Sequence, residues 1–198
     1  MQIRSTDKLA SFINQHSFGI LITESLDFSQ IPFHFAKDEG VKGVLYGHVA
    51  KANKHWRTFD ETNALIVFQG PHAYISPTWY ASKPAVPTWN YATVHCRGKI
   101  ELLPPEQNQL VLNKLTANYE PALLNDKAIM PDEYQSKLSR AIVTFKIVLN
   151  DIQGKEKLGQ SKSQADQAAV YAALQQQNNH EAAMLAAYMK QHAIGIGN

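Results

Sequence analysis

Apolar and polar positions along this chain fall into short runs of period two, interrupted by a few stretches with the longer period of a helix. The first helical stretch is residues 5–16, STDKLASFINQH. Ser5 or Thr6 can cap it, Asp7 suits its positive end, and Leu9, Phe12 and Ile13 recur on one face. Strand patterns follow at residues 18–23, about 31–36 and about 42–49, with a DEG turn signal at 38–40 before the last. At Ala50 the alternation stops. AKANKHWRTFD reads as a helix with Lys51, Lys54 and His55 on one face near its start, and Arg57 close by.

Residues 64–69 (ALIVFQ) form a compact apolar strand, and 72–76 (HAYIS) continues it after a Gly70–Pro71 turn. Pro77, Pro84 and Pro87 constrain the next segment to a loop carrying aromatics at fixed positions. The longest strand spans 88–103. From Ala92 onward its even positions are apolar and its odd positions polar, so Cys96 lies on the core face and His95 and Arg97 on the other. Trp89 and Tyr91 share the polar side, where a ligand or a second subunit must cover them. A helix starts beside Pro104–Pro105, with Leu110, Leu112 and Leu115 available for packing, and another starts with Pro131 in its first turn. The last strand is 141–150, with Val143, Phe145, Ile147 and Leu149 on one face. A basic loop, GKEKLGQSKS, leads to a helix in which Ser163 and Asp166 have capping-box spacing, and an Ala-rich helix from His180 runs to a frayed IGIGN end.

About seven strands with few helices between them predict a mainly β (α+β) fold, a closed or partly open antiparallel barrel with helices outside. No repeat or linker divides the chain, so residues 1–198 read as one domain with a helical C-terminal segment at 163–192.

Composition adds modest constraints. An apolar fraction of 44% and a charged fraction of 18% are ordinary for a globular protein, and a net charge of +2 argues for neither nucleic acid nor membrane on charge alone. One cysteine points to a reducing compartment, and the polar residues at the N-terminus lack the apolar run of a signal peptide; a cytoplasmic protein without a membrane span is expected. No P-loop, GxGxxG, GxSxG, HExxH or CxxC pattern is present, so no catalytic residue is assigned and no metal site is expected. The chemistry concentrates between Leu45 and Lys99, which holds all three tryptophans and four of the eight histidines. A strand feeding a basic helix start is an anion site in physical terms; planar aromatics beside it suit a flat, phosphorylated ligand.

LYGHVAKANKHWR, VFQGPHAYISPTWYASKPAVPTWNYATVHCRG and EKLGQSKSQADQAAV together resemble the PaiB-like family of FMN-binding negative transcriptional regulators, over residues 12–174. The resemblance implies the FMN-binding split barrel and a homodimer with flavin at the subunit interface. It implies that His48, Val49, Ala50, Lys51, Asn53, Trp56 and Arg57 surround the phosphate and ribityl chain. Thr88, Trp89 and Asn90 would approach the flavin, with Gln69 and Ser76 as further polar candidates. Gln160 and Lys162 lie in a segment similar to the family's KLSQNRS, from which this chain departs at Gly159, Ser161 and Lys162. Lysine there keeps the charge of arginine without its bidentate geometry. The 24–34 segment also looks shorter than the family's hairpin. Other roles compatible with this reading are a flavin-dependent oxidoreductase or flavin reductase using a nicotinamide nucleotide, and a haem-binding or haem-degrading split barrel with His48, His72 or His95 as axial ligand. Direct DNA binding has no support from the helices at 106–118 and 163–177, which are not strongly basic.

Overall fold

The computed structural model describes residues 2–3 and 5–198. The strands are β1 (Gln2–Ile3), β2 (Phe18–Thr23), β3 (Phe28–Pro32), β4 (His34–Ala36), β5 (Val44–Ala50), β6 (Asn63–Ile75), β7 (Thr88–Leu102) and β8 (Ile142–Lys157). The α-helices are α1 (Thr6–Gln15), α2 (Asn108–Tyr119), α3 (Asp132–Ser139), α4 (Gln164–Gln175) and α5 (His180–His192), joined by short 3₁₀ turns. The class is mainly antiparallel β with helices, as the alternation predicts. The residues fall into two compact units. The larger comprises Ser5–Phe68 and Val94–Gln153; the smaller comprises β1, Gln69–Thr93 and Gly154–Asn198.

The strand order is β3-β2-β6-β7-β8-β5-β4, with β1 paired to β8. β3 and β4 stand at opposite ends of that order, yet only Phe33 separates them in sequence. One residue cannot span an open sheet, so in the larger unit the sheet curls until its two ends meet. Phe33 is the corner. Its side chain is fully buried, with Phe68 at 5.7 Å and Phe145 at 6.4 Å in edge-on contact, and Phe59 lies 4.9 Å from Phe145. Burying each such ring contributes about 2–3 kcal/mol. The single strand expected at 31–36 is therefore two strands around this corner.

Four further expectations change. β6 runs unbroken through Gly70 and Pro71, because proline's fixed φ lies inside the extended region and needs no turn. On α2 the inward residues are Asn108, Val111 and Leu115, while Leu110 is exposed. Asn108 takes the core position because its amide donates to the Ser139 carbonyl and its oxygen accepts from the buried Thr144 hydroxyl, both at 2.8 Å. β8 continues to Lys157, so the polar GKEK stretch is strand and not loop. Pro131 caps α3 and lies just outside its first turn.

In the smaller unit, Ser163 caps α4 by accepting from the Asp166 amide at 3.2 Å. The Asp166 carboxylate accepts from the Ser82 amide at 2.8 Å and the Ser82 hydroxyl at 2.7 Å. These bonds hold its carboxyl below the usual range. The IGIGN end is packed, not frayed: a Cβ on Gly195 (φ +71°) would lie 2.1 Å from the Leu158 carbonyl oxygen.

Candidate functional site

The basic segment after β5 is not an α-helix. The Asn53 amide donates to the Ala50 carbonyl at 2.9 Å, closing a tight turn, and Asn53 then adopts an extended conformation (φ −73°, ψ 109°) before a five-residue 3₁₀ turn, Lys54–Thr58. Asparagine does this because its side chain takes a backbone donor for itself; here Oδ1 accepts from the His55 amide at 3.0 Å. The shared face of Lys51, Lys54 and His55 therefore never forms.

His55 instead turns inward. Its Nε2 bonds Thr23 Oγ1 and its Nδ1 bonds Ser29 Oγ, each at 2.9 Å, and its ring meets Phe59 edge-on at 4.8 Å. Asn53 Nδ2 donates to the same Ser29 hydroxyl at 3.0 Å. The turn is thus fastened to β2 and β3 from below. Burial holds the His55 imidazole below its ordinary pKa, with Asp27 opposing.

Above that support stand the cations. Trp56 Nε1 donates to the Lys51 carbonyl at 3.0 Å, and the Arg57 guanidinium carbon lies 5.9 Å from the centroid of the Trp56 ring. This ties Trp56 to the Lys51 main chain and sets the Arg57 guanidinium beside the indole. Among the described residues, Lys51, Lys54 and Arg57 have no acidic partner within ion-pair distance. His48, on the strand entering the turn, is half-buried; its Nδ1 is enclosed without a hydrogen-bond partner, and burial lowers its pKa. The Ala50 carbonyl is taken by the turn, and Val49 points into the core at 3% exposure. Only the main chain of Val49 is available to a ligand. Cations without acidic partners, an indole and a half-buried imidazole with an unpartnered ring nitrogen form a donor set that fits a phosphate beside an aromatic system. The larger unit's part of the expected FMN site therefore fits the cofactor.

In the smaller unit, Thr88, Asn90, Gln160 and Lys162 converge on one cleft of about 570 Å³. Tyr80 and Lys157 also line it, and sequence reading missed both. Lys157 was hidden because GKEK looks like a loop; the strand is recognisable only once Glu156 is known to face inward, where it accepts from Tyr188 Oη at 2.8 Å. The Lys157 ammonium donates to the Thr88 hydroxyl and, at 2.9 Å, to the Trp89 carbonyl. Lys162 Nζ lies 5.3 Å from the centroid of Tyr80, whose phenol pKa is raised by burial. Gln160 is a brace. Its Oε1 accepts from the Leu158 amide at 2.7 Å and its Nε2 donates to the Glu156 carbonyl at 2.8 Å.

Three expected residues do not join either group. Strand alternation turns Trp89 to the face opposite Thr88 and Asn90, into a separate cleft. Ser76 caps the 3₁₀ turn at Pro77–Trp79, accepting from the Thr78 amide at 3.2 Å, and Gln69 bonds His72 at 3.2 Å on the surface. Among the described residues there is no metal-competent cluster of His, Cys, Asp or Glu, and no helix is long and apolar enough to cross a membrane.

Comparison with known proteins meets this geometry. Residues 1–151 match the family FMN_bind_2, described as "Putative FMN-binding domain". "Protease synthase and sporulation protein PAI 2" of Bacillus subtilis is 34% identical over 197 residues, covering 96% of this chain and 93% of that protein. An uncharacterized protein of Emericella nidulans is 28% identical, covering 82% of this chain and 83% of its own length. The flavocytochrome Anf3 of Azotobacter vinelandii shares the fold, with a TM-score of 0.62 at 10% identity over 80% of this chain and 70% of that one. So does an FAD- and haem-binding protein of Mycobacterium smegmatis, with a TM-score of 0.60 at 13% identity over 80% and 74%. The chain belongs to the PaiB-like family of FMN-binding split-barrel proteins.

Proposed function

We propose that the chain acts in the cytoplasm as a homodimeric FMN-binding regulator and that Lys51, Lys54 and Arg57 hold the FMN phosphate. The observation carrying this is that Lys51, Lys54 and Arg57 lie in one turn, anchored through His55 to the barrel, without acidic partners among the described residues. FMN, the family's cofactor, supplies hydride and one-electron chemistry when bound. The chain's residues supply position. Lys51 and Arg57 neutralise the phosphate, Asn53 fixes the turn, Trp56 offers an apolar plane, and His48 Nδ1 is left to bond a polar group of the ligand. The smaller unit's cleft, lined by Thr88, Asn90, Gln160 and Lys162, is by itself a second place with polar groups for a ligand. The regulatory role rests on kinship with PAI 2, whose name places that protein in protease synthesis and sporulation.

Titration of FMN and riboflavin against the apo protein tests the assignment. Lys51→Ala and Arg57→Ala should each weaken FMN about tenfold, roughly 1.4 kcal/mol, and leave riboflavin unchanged, because only FMN carries the phosphate. Equal losses for both ligands would remove the phosphate from the basic turn. Sedimentation tests the dimer, NADH oxidation with added FMN tests an enzymatic role with a nicotinamide nucleotide, and a salt-sensitive shift of promoter DNA tests direct DNA contact.

A further inference from the structure

The cleft that receives Trp89 lies wholly within the smaller unit. It encloses about 270 Å³, and its walls include His72, Tyr74, Trp79, Trp89 and Glu181. Trp89 stands 6.2 Å from Tyr74, edge to face at 75°, and 6.2 Å from His72 at 33°. Large apolar rings are normally covered, yet Trp89 is 53% exposed and Tyr74 45% exposed. Glu181 sits in the first turn of α5, and no described basic group forms an ion pair with it. A first-turn carboxylate suits the helix dipole by itself; what gives it a second meaning is the group of rings it faces. No lysine or arginine lines the cleft.

Aromatic faces carry negative quadrupole density, and one uncompensated carboxylate adds a full charge. An anion would be repelled by Glu181, and a neutral ring would leave that charge unused. A primary ammonium is strongly hydrated and resists transfer onto indole faces. A charge shielded by methyl groups satisfies both features at little desolvation cost. We infer that this cleft binds a quaternary ammonium head group, the methyls against Trp79, Trp89 and Tyr74 and the charge toward Glu181. This site is independent of the FMN reading.

The test compares two ligands of one shape and different charge: choline and its uncharged carbon isostere 3,3-dimethylbutan-1-ol. Both are titrated against the full chain, read by tryptophan fluorescence and by saturation transfer to the ligand methyl protons. Two of the three tryptophans line the cleft, so binding is visible directly. Choline should bind at least about tenfold tighter than the isostere. Glu181→Gln should weaken choline about fivefold while leaving the isostere and FMN unchanged. Trp89→Leu should abolish saturable choline binding. Absent choline binding, equal affinity for the two ligands, or a Glu181→Gln protein indistinguishable from the parent would overturn the proposal.

Discussion

Replacing His55 by leucine removes the support beneath the basic turn, and its cost follows from the bonds around it. Thr23 keeps the Ser25 hydroxyl at 3.0 Å, and Ser29 keeps Asn53 Nδ2 at 3.0 Å, so neither buried hydroxyl is orphaned. The loss is then two net hydrogen bonds, about 1 kcal/mol each, and the edge-on contact with Phe59, about 1 kcal/mol more. Leucine regains part of that by apolar packing. A net 2–3 kcal/mol, roughly, lowers the melting temperature by about 5–10 °C for a chain of this size. The pH dependence gives a second handle. Burial holds His55 below its ordinary value of 6.5, so the unfolded chain takes up a proton that the folded chain resists. The stabilisation is therefore complete above that value and drains away as pH falls below it. His16 and His48 are lowered by burial in the same direction, but they are present in both proteins and cancel in the difference. Calorimetric melts of both proteins at about pH 7.5 and about pH 5.5 should show a deficit that shrinks at the lower pH. A deficit that is equal or larger at the lower pH would refute a neutral, doubly bonded His55.

Burial pushes the Cys96 thiol up to about 12, with Asp151 adding to it; the native protein should stay silent to thiol reagents near neutral pH and react fully once unfolded, and rapid native labelling would contradict its place in the core. Gly98→Ala should lower the unfolding free energy by roughly 2–3 kcal/mol, read as a lower urea midpoint, because a Cβ there would sit 2.3 Å from the Val148 carbonyl oxygen, a backbone atom that cannot step aside. An unchanged midpoint would show that β7 and β8 can separate at that point.

Legibility in the sequence followed how each residue is satisfied. β7 could be read position by position because Ala92, Val94, Cys96 and Ile100 all face a dry core, leaving alternation as the dominant pattern. The end of β8 could not, since its inward residue is Glu156, whose burial is made tolerable by Tyr188 from a helix far along the chain. The same holds at Asn108, which takes a core position while Leu110 is left exposed and Leu115 packs inward as expected. The segment after Ala50 misled for a local reason: helix propensity favours KANKHWR, but Asn53 spends its side chain on the His55 amide and breaks the helix. Of the candidate site, the residue types and their neighbourhood were legible, including four that meet in the cleft of the smaller unit. Which strand face Trp89 would take follows from its neighbour Asn90, only 3% exposed, and that burial is a tertiary fact.

The loop carrying Gln160 and Lys162 is tied at almost every residue. Leu158 bonds Gln160, Lys162 bonds the Gly159 carbonyl at 2.9 Å, Gln167 Nε2 donates to the Lys162 carbonyl at 2.7 Å, and Gly195 is pressed beneath Leu158. A ligand entering that cleft meets a loop already in its final shape and does not spend the roughly 1–2 kcal/mol per residue that ordering a slack segment costs. Association should then be governed by encounter, with a rate that scales linearly with ligand concentration and no slow closing phase, and residence time should be set by the contacts alone.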